Sequence, residues 1–376
     1  MKIVVLGAGM VGRAIAVDLK KDYQVKSADI NKESLAILEK EHGIETEIAD
    51  LKDKKVLKKI VKDSDLVINA VPGFMGYETV KTVIGSGKNI VDIAFFPEDS
   101  KTLDKLAKDK GVIAVTDMGV APGMCNVILG YHNERMKVES YLCLVGGLPA
   151  ERKWPWEYKA PFSPCDVIEE YVRPARYREN GKEVVRPALS DPELFEFEGV
   201  GTLEAWNSDG LRSIISNFPN IPDMKEKTMR YPGYIEKIRV LRESGFFSKD
   251  PVDINGTKIS PLEMTEKILF TDENWKLGRF EEEFTIMRVI VKGVEKGKKK
   301  TYTYDLFDRY CKKTKTSSMA RTTGYACTSA VDLIIKGLYK EPGLSPAEFV
   351  GREEKCFRSM LKYLKARGID YKLTVC

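Results

Sequence analysis

Residues 2–19 read KIVVLGAGMVGRAIAVDL, and this stretch decides the fold of the first part of the chain. The apolar run Lys2–Leu6 reads as a buried strand and Arg13–Leu19 as a helix, with Gly7-x-Gly9-x-x-Gly12 between them. Such a turn demands missing side chains. Gly7 permits the sharp change of direction, Gly9 lets the backbone approach a pyrophosphate, and Gly12 lets the helix pack closely on the strand. N–H groups at the helix start, beginning with Met10 and Val11, then face the phosphates, where the helix dipole favours negative charge. The spacing predicts a dinucleotide site; the plain alternative is a glycine-rich turn that holds nothing.

Working outward, Val25–Ala28 forms a second strand and Asp29 ends it. A carboxylate at that point accepts hydrogen bonds from the adenosine ribose hydroxyls and repels a 2′-phosphate. Ile30 and Asn31 supply no arginine to reverse the preference, although Lys32 stands close by. NAD is therefore expected over NADP.

Residues 1–118 go on as alternating strands and helices. The strands are Lys2–Leu6, Gln24–Asp29, Glu45–Ile48, Leu66–Ala70, Asn89–Asp92 and Val112–Val115, separated by helical patterns at Lys32–Lys40, Lys54–Lys62, Tyr77–Gly85 and Lys101–Lys110. This alternation predicts an α/β, Rossmann-type, doubly wound parallel sheet. Ligands of such sheets lie beyond the carboxyl ends of the strands. Asp50 is placed to contact adenine, while Asn69, Ala70, Val71 and Pro72, with the loops at Asp92 and Asp117, would surround the nicotinamide. Asn, Asp, Pro and Gly also form turns without any ligand.

From about residue 120 the pattern shifts to hairpins. Asn180-Gly181 is a strong two-residue hairpin signal between Pro174–Arg178 and Lys182–Pro187, and Glu283–Lys292 and Lys300–Phe307 flank a charged turn. An α+β domain with a mostly antiparallel sheet is expected over 119–318, for substrate binding and oligomerisation. Ser260-Pro261 with Glu263, and Ser345-Pro346 with Glu348, have the form of capping boxes. The second predicts a helix running to about Arg367 and stopping at Gly368. Met319–Lys340 is a helical run rich in small residues, expected to return to the dinucleotide domain with the rest of 319–376.

Composition narrows the classes. The chain has 376 residues, 43% hydrophobic, and no apolar run near the ~20 residues of a membrane span, so a cytoplasmic protein without membrane contact is expected. A net charge of +5 with mixed signs, and Lys298–Lys300 in a turn, argues against a nucleic-acid partner. Seven cysteines without a C-x-x-C pair read as reduced thiols. With two histidines, His42 and His132, a histidine-cluster metal site is ruled out, no metal is expected, and proton transfer falls to other side chains.

Each candidate for chemistry has a structural alternative. Arg212, in Asp209-Gly210-Leu211-Arg212, is suited to grip a substrate carboxylate with two parallel hydrogen bonds, or else forms a surface salt bridge. Arg230 and Tyr231, before Pro232-Gly233, form a second polar pair. Asp92 and Asp117 can bind a substrate ammonium or act as base, or else cap a loop. Glu170 and Tyr171 lie on a helix predicted to begin at Ser163-Pro164.

In Asp117-Met118-Gly119-Val120-Ala121-Pro122-Gly123, Trp206-Asn207-Ser208-Asp209-Gly210-Leu211-Arg212 and Thr228-Met229-Arg230-Tyr231-Pro232-Gly233 the chain resembles the saccharopine dehydrogenase-like superfamily, and within it the L-lysine 6-dehydrogenase group. Gly147-Leu148-Pro149, Ile168-Glu169-Glu170-Tyr171 and Arg173-Pro174-Ala175-Arg176 extend the resemblance over nearly the whole chain. It implies NAD-dependent oxidative deamination of a lysine-like amino acid at its ε-carbon, in a homodimer or higher homo-oligomer. Saccharopine reductases tend to carry an acid before the Pro-Gly and a histidine soon after, where this chain has Ala121 and Asn126. A saccharopine- or carboxyspermidine-type dehydrogenase is the alternative enzyme, and a dinucleotide-binding sensor without turnover the alternative of another class.

Overall fold

The computed structural model describes residues 1–271, 273 and 275–376, with Pro164 described for its backbone alone. The chain opens with β1 (Lys2–Leu6), α1 (Met10–Leu19), β2 (Gln24–Asp29), α2 (Lys32–His42), β3 (Glu45–Ile48), α3 (Lys54–Val61), β4 (Leu66–Asn69), α4 (Gly73–Gly85), β5 (Asn89–Asp92), α5 (Asp104–Lys110), β6 (Ile113–Thr116) and α6 (Met124–Asn133). There follow β7 (Lys137–Pro149), α7 (Pro164–Val172), β8 (Ala175–Glu179), β9 (Lys182–Arg186), β10 (Ser190–Phe197), β11 (Gly201–Asn207), α8 (Ile214–Asn217), β12 (Asp223–Arg230), α9 (Tyr234–Glu243), β13 (Val252–Ile254), β14 (Thr257–Ile259), α10 (Pro261–Thr271), β15 (Glu283–Glu295) and β16 (Lys298–Arg309). The last elements are α11 (Ser318–Ile335), β17 (Gly343–Pro346), α12 (Ala347–Arg352), α13 (Glu354–Ala366) and β18 (Tyr371–Val375). The chain divides into two compact units: Met1–Lys137 with Met319–Tyr371, and Val138–Ser318 with Lys372–Cys376.

In the first unit seven strands form one sheet in the order β17-β6-β5-β4-β1-β2-β3, with every recorded pair parallel. Parallel strands need crossovers, and the helices supply them. The strands are short apolar runs, so the sheet's core consists of residues such as Val4, Leu6, Val67, Ile90 and Ala114, with Val80, Val83 and Ile84 of α4 against them. Residues 119–137 belong here, because α6 packs against α12 so closely that a Cβ on Gly130 would lie 2.0 Å from Glu348 O, and one on Gly351 2.1 Å from Val127 O.

The small residues of α11 have a comparable purpose. A Cβ on Gly324 would stand 3.2 Å from Ile15 Cγ1 and 3.6 Å from Ala14 Cβ, so α11 crosses α1 at close range. The crossing is tied by charge. Asp18, 1% exposed, accepts hydrogen bonds from Thr328 Oγ1 (2.9 Å), Tyr363 OH (2.9 Å), Arg367 Nε (2.8 Å) and Lys21 Nζ (2.8 Å).

At Ser345-Pro346 a helix does open, one residue later than expected: Pro346 is the N-cap of α12 rather than its first residue, and no side chain caps it. Both residues also close β17, the edge strand beside β6, and Ser345 Oγ accepts a hydrogen bond from Tyr339 OH at 2.6 Å. The helical run to Arg367 is also broken in two, because Glu353 takes an extended conformation (φ −80°, ψ 109°) between α12 and α13. The capping pattern was local, whereas strand pairing with β6 came from more than two hundred residues away in sequence.

The second unit carries a nine-stranded mixed sheet whose main path runs β10-β11-β12-β7-β15-β16-β18, with β8 joined to β12 and β9 to β8. It is mostly antiparallel, but β12 and β7 pair in parallel, Asp223 with Ser140 through Thr228 with Val145. Asn180 and Gly181, both at positive φ, make the tight turn between β8 and β9. The β15–β16 ribbon is the longest pairing, from Phe284 with Arg309 to Glu295 with Lys298. Among the described residues no helix is long and apolar enough to cross a membrane.

Candidate active site

The dinucleotide loop of the first unit is built from three glycines with different duties. Gly7 has φ +102°, and a Cβ there would lie 2.4 Å from Ala70 O; a Cβ on Gly12 would lie 2.1 Å from Gly7 O. Both contacts are with backbone, so neither position tolerates a side chain. Gly9 differs: a Cβ there would meet nothing within 4 Å, leaving open space at the start of α1 where a phosphate group can approach. Gly9 is the N-cap of α1, followed by Met10 and Val11. The loop thus fits a bound pyrophosphate.

Asp29, at the end of β2, is turned toward this loop. Its Oδ2 accepts from Ala8 N at 2.5 Å and its Oδ1 from Asn31 N at 2.8 Å. The carboxylate therefore sits one residue from Gly7 and Gly9, at the reach expected for ribose hydroxyls. Asp50 accepts from Lys52 N at 3.0 Å and is exposed on the sheet's rim. Asn69 and Asp92 face each other at the carboxyl ends of β4 and β5, with Asn69 Nδ2 donating to Asp92 Oδ1 at 2.7 Å. Ala94 N donates to the same oxygen at 3.2 Å. Both side chains are fully buried, so Asp92 organises the strand ends at the root of the Ala70-Val71-Pro72 loop. Burial pushes the Cys327 thiol of α11 up, and the Asp92 charge adds to it.

Asp117 stands directly after β6 at φ +55°, a conformation that costs a residue with a side chain on the order of 1 kcal/mol or more and is frequent at functional sites. The loop that follows folds back tightly. A Cβ on Gly123 (φ +141°) would overlap Gly119 O at 1.8 Å, and Gly119 N donates to Pro122 O at 3.1 Å. Asn126 secures the loop, accepting from Gly123 N at 3.2 Å and donating to Glu348 Oε2 of α12 at 3.3 Å.

In the second unit Glu170, Tyr171 and Arg230 come together. Arg230, 3% exposed at the end of β12, donates from Nη2 to Glu170 Oε2 (2.9 Å) and Tyr158 OH (3.2 Å), and from Nη1 to Met229 O (2.9 Å). Its guanidinium lies 4.2 Å from the centre of the Tyr158 ring and 5.4 Å from that of Trp206. A carboxylate grip this enclosed already has its carboxylate: Arg230 holds Glu170. The Glu170 side chain keeps 20% of its surface exposed. Burial pushes its carboxyl up, and the Arg230 charge works against that. Tyr171 OH pairs with Tyr234 OH at 2.7 Å, and burial holds both phenols far above their ordinary range, so they are neutral supports. Burial likewise pushes Tyr158 up to about 12.

Tyr231 does not join its neighbour Arg230. Consecutive residues leave a strand on opposite faces. Tyr231 OH donates to Pro149 O at 3.0 Å, and its ring belongs to the cluster with Leu203, Met229 and Phe284, whereas Tyr171, Trp206 and Tyr234 belong to another. The expected polar pair is thus divided between two cores.

Arg212 lies in the loop after β11 at φ +52° and is 8% exposed; Asp209 of the same loop receives a fork from Arg176, Nε at 2.9 Å and Nη2 at 3.2 Å. Beneath this loop is a group that residue patterns missed. Glu226, 5% exposed on β12, accepts from Ser208 Oγ at 2.6 Å, and burial pushes its carboxyl up to about 8. In sequence it reads as one acid in the alternating run Lys225-Glu226-Lys227, which signals an exposed strand. Ser208 and Gly210, which cover it, were in view only as parts of a motif.

Residues 3–115 match the family model described as the saccharopine dehydrogenase NADP binding domain, and residues 119–369 that of the saccharopine dehydrogenase C-terminal domain. Bovine mitochondrial alpha-aminoadipic semialdehyde synthase is 26% identical over 282 residues, which cover 70% of this chain and 30% of the relative. A saccharopine dehydrogenase (NADP(+), L-glutamate-forming) of Pyricularia oryzae is 26% identical, over 71% of this chain and 62% of its own length. Carboxyaminopropylagmatine dehydrogenase of Synechocystis is 24% identical and is matched over 92% of both chains. The chain thus spans 30% of the length of the animal synthases it matches. In fold it is similar to the L-Glu-forming saccharopine dehydrogenase of Saccharomyces cerevisiae, at a TM-score of 0.79 and 20% identity, covering 100% of this chain and 99% of that one. With family models matched across both parts of the sequence, the chain belongs to the saccharopine dehydrogenase family.

Proposed function

We propose that the protein is an NAD-dependent oxidoreductase that deaminates L-lysine at its ε-carbon. Lysine, NAD⁺ and water give 2-aminoadipate 6-semialdehyde, ammonium, NADH and a proton, and the aldehyde cyclises to piperideine-6-carboxylate. The observation that carries this reading is the buried pair in which Arg230 holds the Glu170 carboxylate at a defined place in the second unit; Arg212, 8% exposed in the loop after β11, is assigned to the substrate's α-carboxylate for its two-pronged guanidinium. Bound NAD supplies a nicotinamide ring that accepts hydride. Glu170, its carboxylate fixed on one oxygen by Arg230, takes the proton from the ε-ammonium, and water then attacks the imine carbon so that ammonia leaves. Asp29 selects NAD through the ribose hydroxyls. Asn126, occupied by Gly123 and Glu348, holds its loop rather than a substrate group.

A second reading is favoured by one observation, the match to carboxyaminopropylagmatine dehydrogenase over 92% of both chains. In it the substrate is a carboxyalkylated secondary amine of the saccharopine or carboxyspermidine type. The experiment supplies lysine and NAD without 2-oxoglutarate and follows NADH absorbance. NADH formation supports lysine deamination; silence with lysine but turnover of a carboxyalkylated amine replaces it with the second reading.

Two variants test the residue roles. Arg212→Ala should lower kcat/KM for lysine about a hundredfold or more, with Arg212→Lys restoring part of it, since an ammonium keeps the charge and loses the fork. Cadaverine, which has no carboxylate, should be a poor substrate that loses little further; equal losses for both amines would move the anchor elsewhere. Asp29→Ser should erode the preference for NAD over NADP in kcat/KM, and a wild-type preference for NADP would refute its assigned role.

A further inference from the structure

We infer that Glu226 is a positioning residue for Arg212: its carboxyl group clamps the loop Ser208–Arg212 from below and sets where the arginine stands. The inference rests on Arg212 as the carboxylate anchor. The loop lies flat on this side chain, for a Cβ on Gly210 would be 2.2 Å from Glu226 Cδ and 2.3 Å from Oε2. Ser208 Oγ donates to Oε2 at 2.6 Å and lies 2.8 Å from Thr228 Oγ1, while Ser208 N donates to Glu226 O at 3.4 Å. The Gly210 backbone also hydrogen-bonds the carboxyl. Leu211, 1% exposed, and Arg212, at φ +52°, follow without slack. A displacement at Gly210 is therefore passed to Arg212.

The clamp is sensitive to charge. Glu226 is faced by the Glu170 carboxylate from α7 and by Asp209 from the loop itself, with Arg230 bound to Glu170 and Arg176 of β8 bound to Asp209. Those two arginines are thus held by other acids. Burial pushes Glu226 up to about 8, the two carboxylates add to that, and the hydrogen bonds from Ser208 and Gly210 oppose it. The neutral acid suits the dry site under Gly210, whereas the carboxylate must draw in water, which lifts the loop.

The test uses the full chain saturated with NAD, from about pH 7 to about pH 9, comparing wild type with Glu226→Gln. Protection of the 208–212 amides from hydrogen exchange, corrected for the intrinsic rate, should fall about tenfold in the wild type and stay within about threefold in Glu226→Gln. KM for lysine should rise with the loss of protection while kcat changes little, and the KM rise should be absent from the variant. Ser208→Ala, which removes a donor and leaves the carboxyl, should lower protection already at neutral pH and keeps the question answerable if Glu226→Gln fails to fold. Protection that ignores pH, or changes alike in both proteins, overturns the clamp. A clamp seen by exchange with KM flat for lysine instead overturns Arg212 as the anchor.

Discussion

Asp18 in the first unit and Glu226 in the second are both carboxyls within buried side chains, and they lie in opposite protonation states. Burial alone would raise both. At Asp18 the hydrogen bonds and charges of Lys21 and Arg367 outweigh it and hold the carboxyl below its usual range. At Glu226 the facing charges are carboxylates, so burial wins and the group is pushed up to about 8. The difference teaches that the partner, not the depth, decides what a buried acid does. Asp18 is a permanent ion that ties α1 to α11 and α13; Glu226 is a neutral acid that can change state near physiological pH.

The comparison breaks most visibly at Asp18. Asp18→Asn keeps an acceptor for Thr328 and Tyr363 but leaves Arg367 facing a neutral amide, and should cost about 3–5 kcal/mol in chemical unfolding. A loss below ~1 kcal/mol would show that the network is ornamental. Because the folded value of Asp18 is depressed, its contribution is complete above the unfolded value near 3.8 and disappears as pH falls through the folded value. The gap between wild type and Asp18→Asn should accordingly close in acid.

Glu226 should behave in the opposite sense. Its folded value is raised, so its stabilising contribution is complete below the unfolded value of 4.5 and is lost as pH rises through about 8. Glu226→Gln, neutral at every pH, should match the wild type near pH 5 and exceed it by roughly 1–3 kcal/mol at about pH 9, read from urea midpoints. A gap of the same size at both pH values would mean that the carboxyl is already ionised. The smallest effect belongs to Ser208→Ala, about 1 kcal/mol for one lost hydrogen bond, and it should move the Glu226 titration further up because that bond favours the ionised form.

Local chemistry was legible to different depths in the two units. The dinucleotide loop, the β/α alternation and the Asn180-Gly181 turn each depend on residues within one short window, and the structure has them where the spacing indicated. Ser345-Pro346 carried an equally good local signal, yet the helix opens one residue later, at Ala347, because pairing with β6 holds both residues in the edge strand β17. Of the candidate residues, Glu170, Tyr171 and Arg230 meet in one cluster, while Tyr231 leaves by the other face of the sheet. Glu226 was invisible, because nothing in a run of alternating charges tells which side chain a distant loop will cover.

By itself the sequence determined which segments become strands and helices in the first unit, where the glycines must stand and which acid ends β2, because steric and hydrogen-bonding demands at those points are met by near neighbours in the chain. Tertiary structure alone decided the strand order with β17 at the edge, the parallel pairing of β12 with β7, and the charge states of Asp18 and Glu226. Those depend on which groups from remote segments replace water around a residue, and a one-dimensional pattern holds no record of that replacement.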